Sequence, residues 1–186
     1  MANGIVYVGD GAGVLWALKA SDGTFLWKYA TNSQRTFAPT VSGGVVYVME
    51  SYSTPSYTYA LDATTGSLLW KYQSANSQGV QPAVDGKRVY VGGDYHLEAL
   101  DPKTGTQIWA TGAGIATAVS VYNGRAYVAD ILTLSIHALN AATGQVLWTS
   151  GSDYTAVNMA VANNSVYAQD GEGGLWALDA DTGNLL

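Results

Sequence analysis

No cysteine occurs anywhere in the 186 residues. That removes disulfide frameworks, thiolate nucleophiles and cysteine-ligated zinc from consideration. Charge is scarce as well: Asp, Glu, Lys and Arg together make up 12% of the chain. The eight Lys and Arg are dispersed through a chain of net charge −6, with only Lys87 and Arg88 adjacent. With no basic stripe to neutralise phosphates, nucleic acid is not an expected partner. The acidic residues are dispersed too and form no tail. No apolar run is long enough to cross a bilayer as a helix. The chain opens Met1–Ala2–Asn3–Gly4 without a signal-peptide pattern. Scarce lysine beside abundant Thr, Ser, Asn and Tyr nevertheless suggests an extracytoplasmic bacterial protein, periplasmic or secreted. The 48% hydrophobic content and 11% aromatics argue for a packed domain rather than disorder.

What the chain does have is a repeated phrase: Ala, five residues, Gly, three residues, Trp. It occurs at Ala17–Gly23–Trp27, Ala60–Gly66–Trp70, Ala99–Gly105–Trp109 and Ala138–Gly144–Trp148. A fifth copy starts at Ala177 and Gly183 and runs to Leu186. A second landmark, the aromatic of a V-Y-V triplet, recurs at Tyr7, Tyr47, Tyr90, Tyr127 and Tyr167. A period near 40 residues indicates an array of one small unit. Approximate unit bounds are 1–34, 35–77, 78–114, 115–154 and 155–186 of a single domain spanning 1–186.

Each unit reads as four short strands. Val45, Tyr47 and Met49 face one way and Val46 and Val48 the other, the alternation of a strand. Expected strands in the second unit are Ala38–Val41, Val45–Val48, Tyr57–Asp62 and Ser67–Tyr72. Turn glycines supply positive φ. Asp62, Asp101, Asn140 and Asp179 stand four residues before those glycines, where a side chain can hold turn amides. The first unit has Lys19 in that slot, so its turn must be held differently. Four-stranded antiparallel units that cannot bury both faces alone pack around an axis, which gives an all-β β-propeller of about five units, the first and last incomplete. The recurring Ala leaves space for an indole, and the Trp is expected to pack across the seam between units.

The run Val46-Tyr47-Val48, followed by Ala60-Leu61-Asp62-Ala63-Thr64-Thr65-Gly66-Ser67-Leu68-Leu69-Trp70, resembles the tryptophan-docking repeat of the pyrroloquinoline-quinone-type β-propellers. The resemblance covers almost the entire chain. It implies the propeller fold, whereas the functions found with this repeat range from quinoprotein dehydrogenases to outer-membrane assembly lipoproteins and kinase sensor domains. The dehydrogenases of this family use eight blades, a calcium constellation and often an adjacent-cysteine disulfide. None of these is recognisable here, so no cofactor is expected and the chain is not expected to be an enzyme. A truncated quinoprotein oxidoreductase is the alternative.

The chain begins at the second strand of its first unit and stops inside the fourth strand of its fifth. Three readings stay open: a fragment of a longer propeller, a five-unit ring, or copies that complete one another through uncapped strand edges. The third makes self-association, or a self-assembling structural subunit, an expected property.

Two loop sets share one face: the hairpins after V-Y-V and the connections between units. They vary most among the copies, as a binding surface grafted on a scaffold does. Candidates on this face and near the axis are Phe37, Gln81, Thr117 and Asn158 from first strands, and Tyr52, Tyr57, Tyr95 and Tyr154 from loops. Such a face suits a protein partner or another ligand. Acidic residues begin most of these hairpins, making Asp10, Asp130 and Asp170 weak metal candidates, although Asp-Gly is also good hairpin chemistry. His96 and His137 lie on third strands without a carboxylate partner at metal-like spacing and read as ordinary strand residues. No nucleophile-elbow motif occurs.

If the indoles staple the seams, Trp70→Ala should cost roughly 3–5 kcal/mol of stability in a urea titration.

Overall fold

In the computed structural model the described residues are 1–31, 33, 35–50, 55–74, 79–93, 96–112, 116–130 (116 and 117 by backbone alone), 132–151, 156 and 158–186. They contain no helix and fold into five antiparallel sheets. The first sheet holds β1 (Ile5–Gly9), β2 (Val14–Lys19) and β3 (Phe25–Ala30). The second holds β4 (Thr40–Ser42), β5 (Val45–Met49), β6 (Ser56–Asp62) and β7 (Leu68–Ser74). The third holds β8 (Ala83–Val84), β9 (Val89–Gly92), β10 (Leu97–Leu100) and β11 (Gln107–Thr111). The fourth holds β12 (Ala116–Tyr122), β13 (Arg125–Asp130), β14 (Ser135–Asn140) and β15 (Val146–Thr149). The fifth holds β16 (Asn158–Ala162), β17 (Ser165–Gln169) and β18 (Leu175–Asp179), with a bridge from Leu178 to Leu185. Strands pair in chain order within every sheet, and the leading strands β4, β8, β12 and β16 touch one another in succession. This is the propeller arrangement, with leading strands innermost.

The two faces of each strand have separate destinations, a consequence of the period of two. The V-Y-V aromatic, the motif Ala and the Trp share one face and point into the following seam. The flanking valines and the Leu after the Ala share the other face and point into the preceding one. Thus Tyr7, Ala17 and Trp27 of the first sheet pack with Val46, Val48 and Leu61 of the second. Tyr47, Ala60 and Trp70 meet Val89, Val91 and Leu100. Tyr90, Ala99 and Trp109 meet Ala126, Val128 and Leu139. Tyr127, Ala138 and Trp148 meet Val166, Ala168 and Leu178. The core is therefore four apolar seams, and the second-strand residues of the three middle sheets are buried on both faces.

The indole packs across the seam, and the structure adds the surface that it rests on. The motif Ala is its cross-strand partner within the same sheet, as in Ala60↔Trp70, and its platform is the glycine of the next sheet. A Cβ on Gly66 would lie 2.6 Å from the Trp27 ring, one on Gly105 2.6 Å from Trp70, one on Gly144 2.8 Å from Trp109 and one on Gly183 2.6 Å from Trp148. Each indole N–H donates to a carbonyl of that same turn: Trp27 to Ala63 (3.1 Å), Trp70 to Pro102 (2.9 Å), Trp109 to Ala141 (3.1 Å) and Trp148 to Ala180 (3.1 Å). The hydroxyls of Tyr7, Tyr90 and Tyr127 reach the same carbonyls in their seams. Register slips by one residue beside the motif Ala in four sheets.

The turn acids act as expected. Asp62 Oδ1 accepts the Thr64 and Thr65 amides, and Asp101 and Asp179 repeat the pattern. Asn140 does the same without charge. In the first sheet Asp22 takes over, accepting the Thr24 amide.

Gly105 combines φ of 71° with the indole contact, whereas Gly86 has φ of 81° and open space beyond it. Both alanine variants carry the backbone strain, but only Gly105→Ala must displace an aromatic ring. It should lose about 1–3 kcal/mol more than Gly86→Ala in parallel denaturant titrations.

Candidate functional site

The leading strands surround a cavity of about 340 Å³ at the axis, lined by Thr40, Gln81, Pro82, Ala118, Ser120, Asn158 and Met159, among others. The short first strands bring these residues there, because each begins its sheet at the centre. Gln81 and Asn158, both exposed, were expected at the axis and do share this cavity. Its wall is polar and internally bonded. Thr40 Oγ1 donates to the Pro82 carbonyl at 2.5 Å, Gln81 Nε2 donates to Thr40 Oγ1 at 3.2 Å, and Ser120 Oγ donates to the Met159 carbonyl at 3.0 Å. These bonds also link neighbouring sheets, so the axis is tied by hydrogen bonds where the seams are tied by indoles.

The other candidates divide. Phe37 is half-buried and its amide donates to the Met49 carbonyl at 2.9 Å, which fixes the entry to β4. Tyr57 is half-buried on β6 with the Lys71 Nζ 3.5 Å from its ring centre. Thr117 is placed on β12 by its backbone. Tyr52, Tyr95 and Tyr154 lie outside the described residues.

The hairpin acids do not converge. Asp10 Oδ1 accepts the amides of Ala12 (2.9 Å) and Val14 (2.8 Å), while Oδ2 accepts the Trp16 indole N–H at 2.8 Å. Asp170 accepts the amides of Glu172 and Gly174, and Asp130 those of Leu132 and Thr133. Each carboxylate thus closes its own hairpin. Among the described residues no three His, Cys, Asp or Glu side chains come together as a metal set. Asp130 has one further neighbour that the sequence reading missed: His137 Nε2 lies 3.5 Å from its Oδ2. His137 Nε2 also meets Ser135 Oγ at 3.2 Å, and its Nδ1 meets Thr149 Oγ1 at 2.9 Å. This correction concerns the third strand, whose residue before the motif Ala faces the residue three after the V-Y-V aromatic across the hairpin. Trp16–Asp10, Tyr59–Glu50 and His137–Asp130 are the same pair in three sheets. In the third sheet the acid moves to the other slot as Glu98, which accepts hydrogen bonds from Ser74 (2.6 Å) and Tyr72 (3.2 Å) of the second sheet. The signal was present in the repeat alignment, since in those three sheets each slot's residue suits its partner's.

A model of the family described as outer membrane protein assembly factor BamB matches residues 1–111 and 94–186. Among solved structures, BamB from Moraxella catarrhalis is 22% identical, with a TM-score of 0.79 over 100% of this chain and 61% of that one. The computationally designed Ika8 protein is 18% identical, with a TM-score of 0.86 over 100% of this chain and 58% of that one. A quinohemoprotein alcohol dehydrogenase from Pseudomonas putida HK5 is 19% identical, with a TM-score of 0.77 over 100% of this chain and 40% of that one. The chain thus spans about three fifths of the length of the first two, and these likenesses establish the fold. No curated protein matches in sequence.

Quinoproteins of this fold hold a planar tricarboxylate quinone, which calls for cationic donors and flat aromatic partners. Among the described residues lining the axis cavity there is no Lys, Arg or aromatic ring. They do not fit that cofactor.

The Trp16 indole, followed by the Val14 amide, holds the Asp10 carboxyl below the ordinary aspartate value. A depressed folded value stabilises the hairpin above the unfolded aspartate range and loses that stabilisation as pH falls through the folded value. Trp16 emission should therefore titrate below pH of about 4, and Asp10→Asn should abolish that step in a fluorescence titration.

Proposed function

The chain belongs to the family of pyrroloquinoline-quinone-type repeat propellers described as outer membrane protein assembly factor BamB, and from that premise we propose that it is a non-enzymatic binding propeller. It recognises a protein partner through the face that carries the V-Y-V hairpins, the connections between sheets and the mouth of the axis cavity. It works outside the cytoplasm, as a platform in an envelope assembly. The observation that carries this reading is the contrast between the two ends of the sheets. On the face with the motif turns, one design recurs: Asp or Asn cap, glycine platform and docked indole. On the opposite face the loops differ in length and chemistry from copy to copy, as the segment between Met49 and Ser56 shows beside the one between Gly9 and Val14. A scaffold that fixes one end and frees the other supplies a surface whose side chains can change without disturbing the seams.

The outer face of the last sheet adds a second element to the proposal, self-association. Tyr167 on β17 is 40% exposed, while its counterparts Tyr47, Tyr90 and Tyr127 are buried. An exposed sheet face of this kind suits packing against a further sheet.

Photo-crosslinking tests the partner face. With a benzophenone side chain at position 57 or 158, discrete protein adducts should form in an envelope extract, and the same group at Lys103 on the opposite face should give none. Equal labelling from both faces would overturn the proposal. Sedimentation across a concentration series should show mass rising above that of one chain. A constant monomer mass would remove the self-association element alone.

A further inference from the structure

Two arginines break the repeat in adjacent sheets. The residue two before the V-Y-V aromatic is Ile5, Val45 and Ser165 in the first, second and fifth sheets, but Arg88 and Arg125 in the third and fourth. Both line one cavity of about 530 Å³ between those sheets, together with Asp85, Lys87, Val121, Tyr122 and Ala141. The cavity opens on the motif-turn face, away from the loops of the proposed partner surface. Its volume falls in the range typical of small-ligand sites.

The repeat supplies an internal control. Between the second and third sheets the matching cavity, about 460 Å³, is lined by Ser42, Val45, Tyr47, Val84 and Lys103, among others. The architecture alone therefore makes a hollow at this level, and the cluster of cations is specific to one seam. Three of the chain's eight Lys and Arg stand in that hollow although the net charge is −6.

Local carboxylates offset only part of this charge. Asp85 Oδ1 already accepts the Lys87 and Arg88 amides at 2.8 and 2.7 Å, and Oδ2 accepts the Tyr90 hydroxyl at 2.8 Å. The Arg88 guanidinium only grazes it, with Nη1 4.0 Å from Oδ2, and Arg88 Nε is buried with no hydrogen-bond partner. Arg125 is anchored by Asp181 and the Ala180 carbonyl across the next seam. Three cations against Asp85 and Asp181 leave one net positive charge, which a monoanion neutralises and a phosphate dianion overshoots. Val84, Val121, Ala141 and the Tyr122 ring provide apolar wall for the rest of the ligand.

We propose that this cavity binds a monoanionic carboxylate carried on an apolar body, with Arg88 as the principal contact and Lys87 and Arg125 beside it. A planar guanidinium suits a carboxylate because it can present paired N–H donors. The same chemistry is available from a free aliphatic or aromatic acid and from the C-terminus of a peptide.

Calorimetry and amide-proton NMR on the full chain test it with 3-phenylpropanoate, its neutral amide, and a tripeptide ending in phenylalanine as the free acid or the amide. At least one free acid should bind and shift the amide signals around Arg88, and both amides should fail. Arg88→Val, which installs the second sheet's residue, should weaken binding about tenfold or more. Arg88→Gln keeps the stem and is used if the valine variant does not fold. Tighter binding by the tripeptide acid assigns a chain terminus as the source, and tighter binding by phenylpropanoate assigns a free small acid. The proposal is overturned if neither acid binds at about 10 mM, if an amide binds as well as its acid, if inorganic phosphate binds more tightly than both acids, or if the Arg88 variants retain full affinity.

Discussion

Everything in this molecule depends on an indole lying flat on a glycine. A tryptophan from one sheet covers the turn glycine of the next and donates its N–H to a carbonyl in the same turn. The contact satisfies two demands together. It buries a large apolar ring, and it gives the only polar atom of that ring a partner inside the seam. The turn must then be shaped to receive it, which requires a residue without Cβ at positive φ and a cap that fixes the turn's amides. One phrase thus serves two seams. Its glycine receives the preceding sheet's indole, and its tryptophan covers the following sheet's glycine.

This relay explains why the strands tolerate so little variation and the loops so much. In the three middle sheets the second strand is buried on both faces, so each of its residues has an assigned seam. Packing at that density penalises changes in volume in either direction. The hairpin acids belong to the scaffold as well, since Asp10, Asp130 and Asp170 spend their oxygens on amides of their own hairpins. Chemistry on a repeat scaffold is therefore most visible where a slot departs from the other copies, as at Glu98 and at the paired arginines.

Much of the fold was legible in the residues. V-Y-V, Ala-Leu-Asp and the terminal Trp located second, third and fourth strands to within one or two residues, because second and third strands carry apolar patterns and the fourth carries the recurring Trp. First strands were less legible: β4 runs Thr40–Ser42, later than the expected Ala38–Val41, and β8 is only Ala83–Val84. They line a polar axis and add only a few partly buried side chains to the seams, such as Val41 and Val84, which leaves a weak pattern. The platform glycine was not legible, since sequence spacing shows that Gly and Trp recur together but not which glycine lies beneath the ring. Of the site candidates, Gln81 and Asn158 were recognisable from their strand alone. The His137–Asp130 and Glu98–Ser74 contacts were not, because they join residues across a hairpin or a seam.

The sequence by itself determined the period, the strand alternation, the turn caps and the identity of the stapling residues. All of these are local properties, repeated often enough for one copy to check another. Only the tertiary structure decided which glycine each indole meets, which carbonyl it binds, and which side chains share a cavity. Those outcomes depend on how a whole sheet sits against its neighbour, and residues about 32 to 36 positions apart in the chain become partners only when two complete units stack.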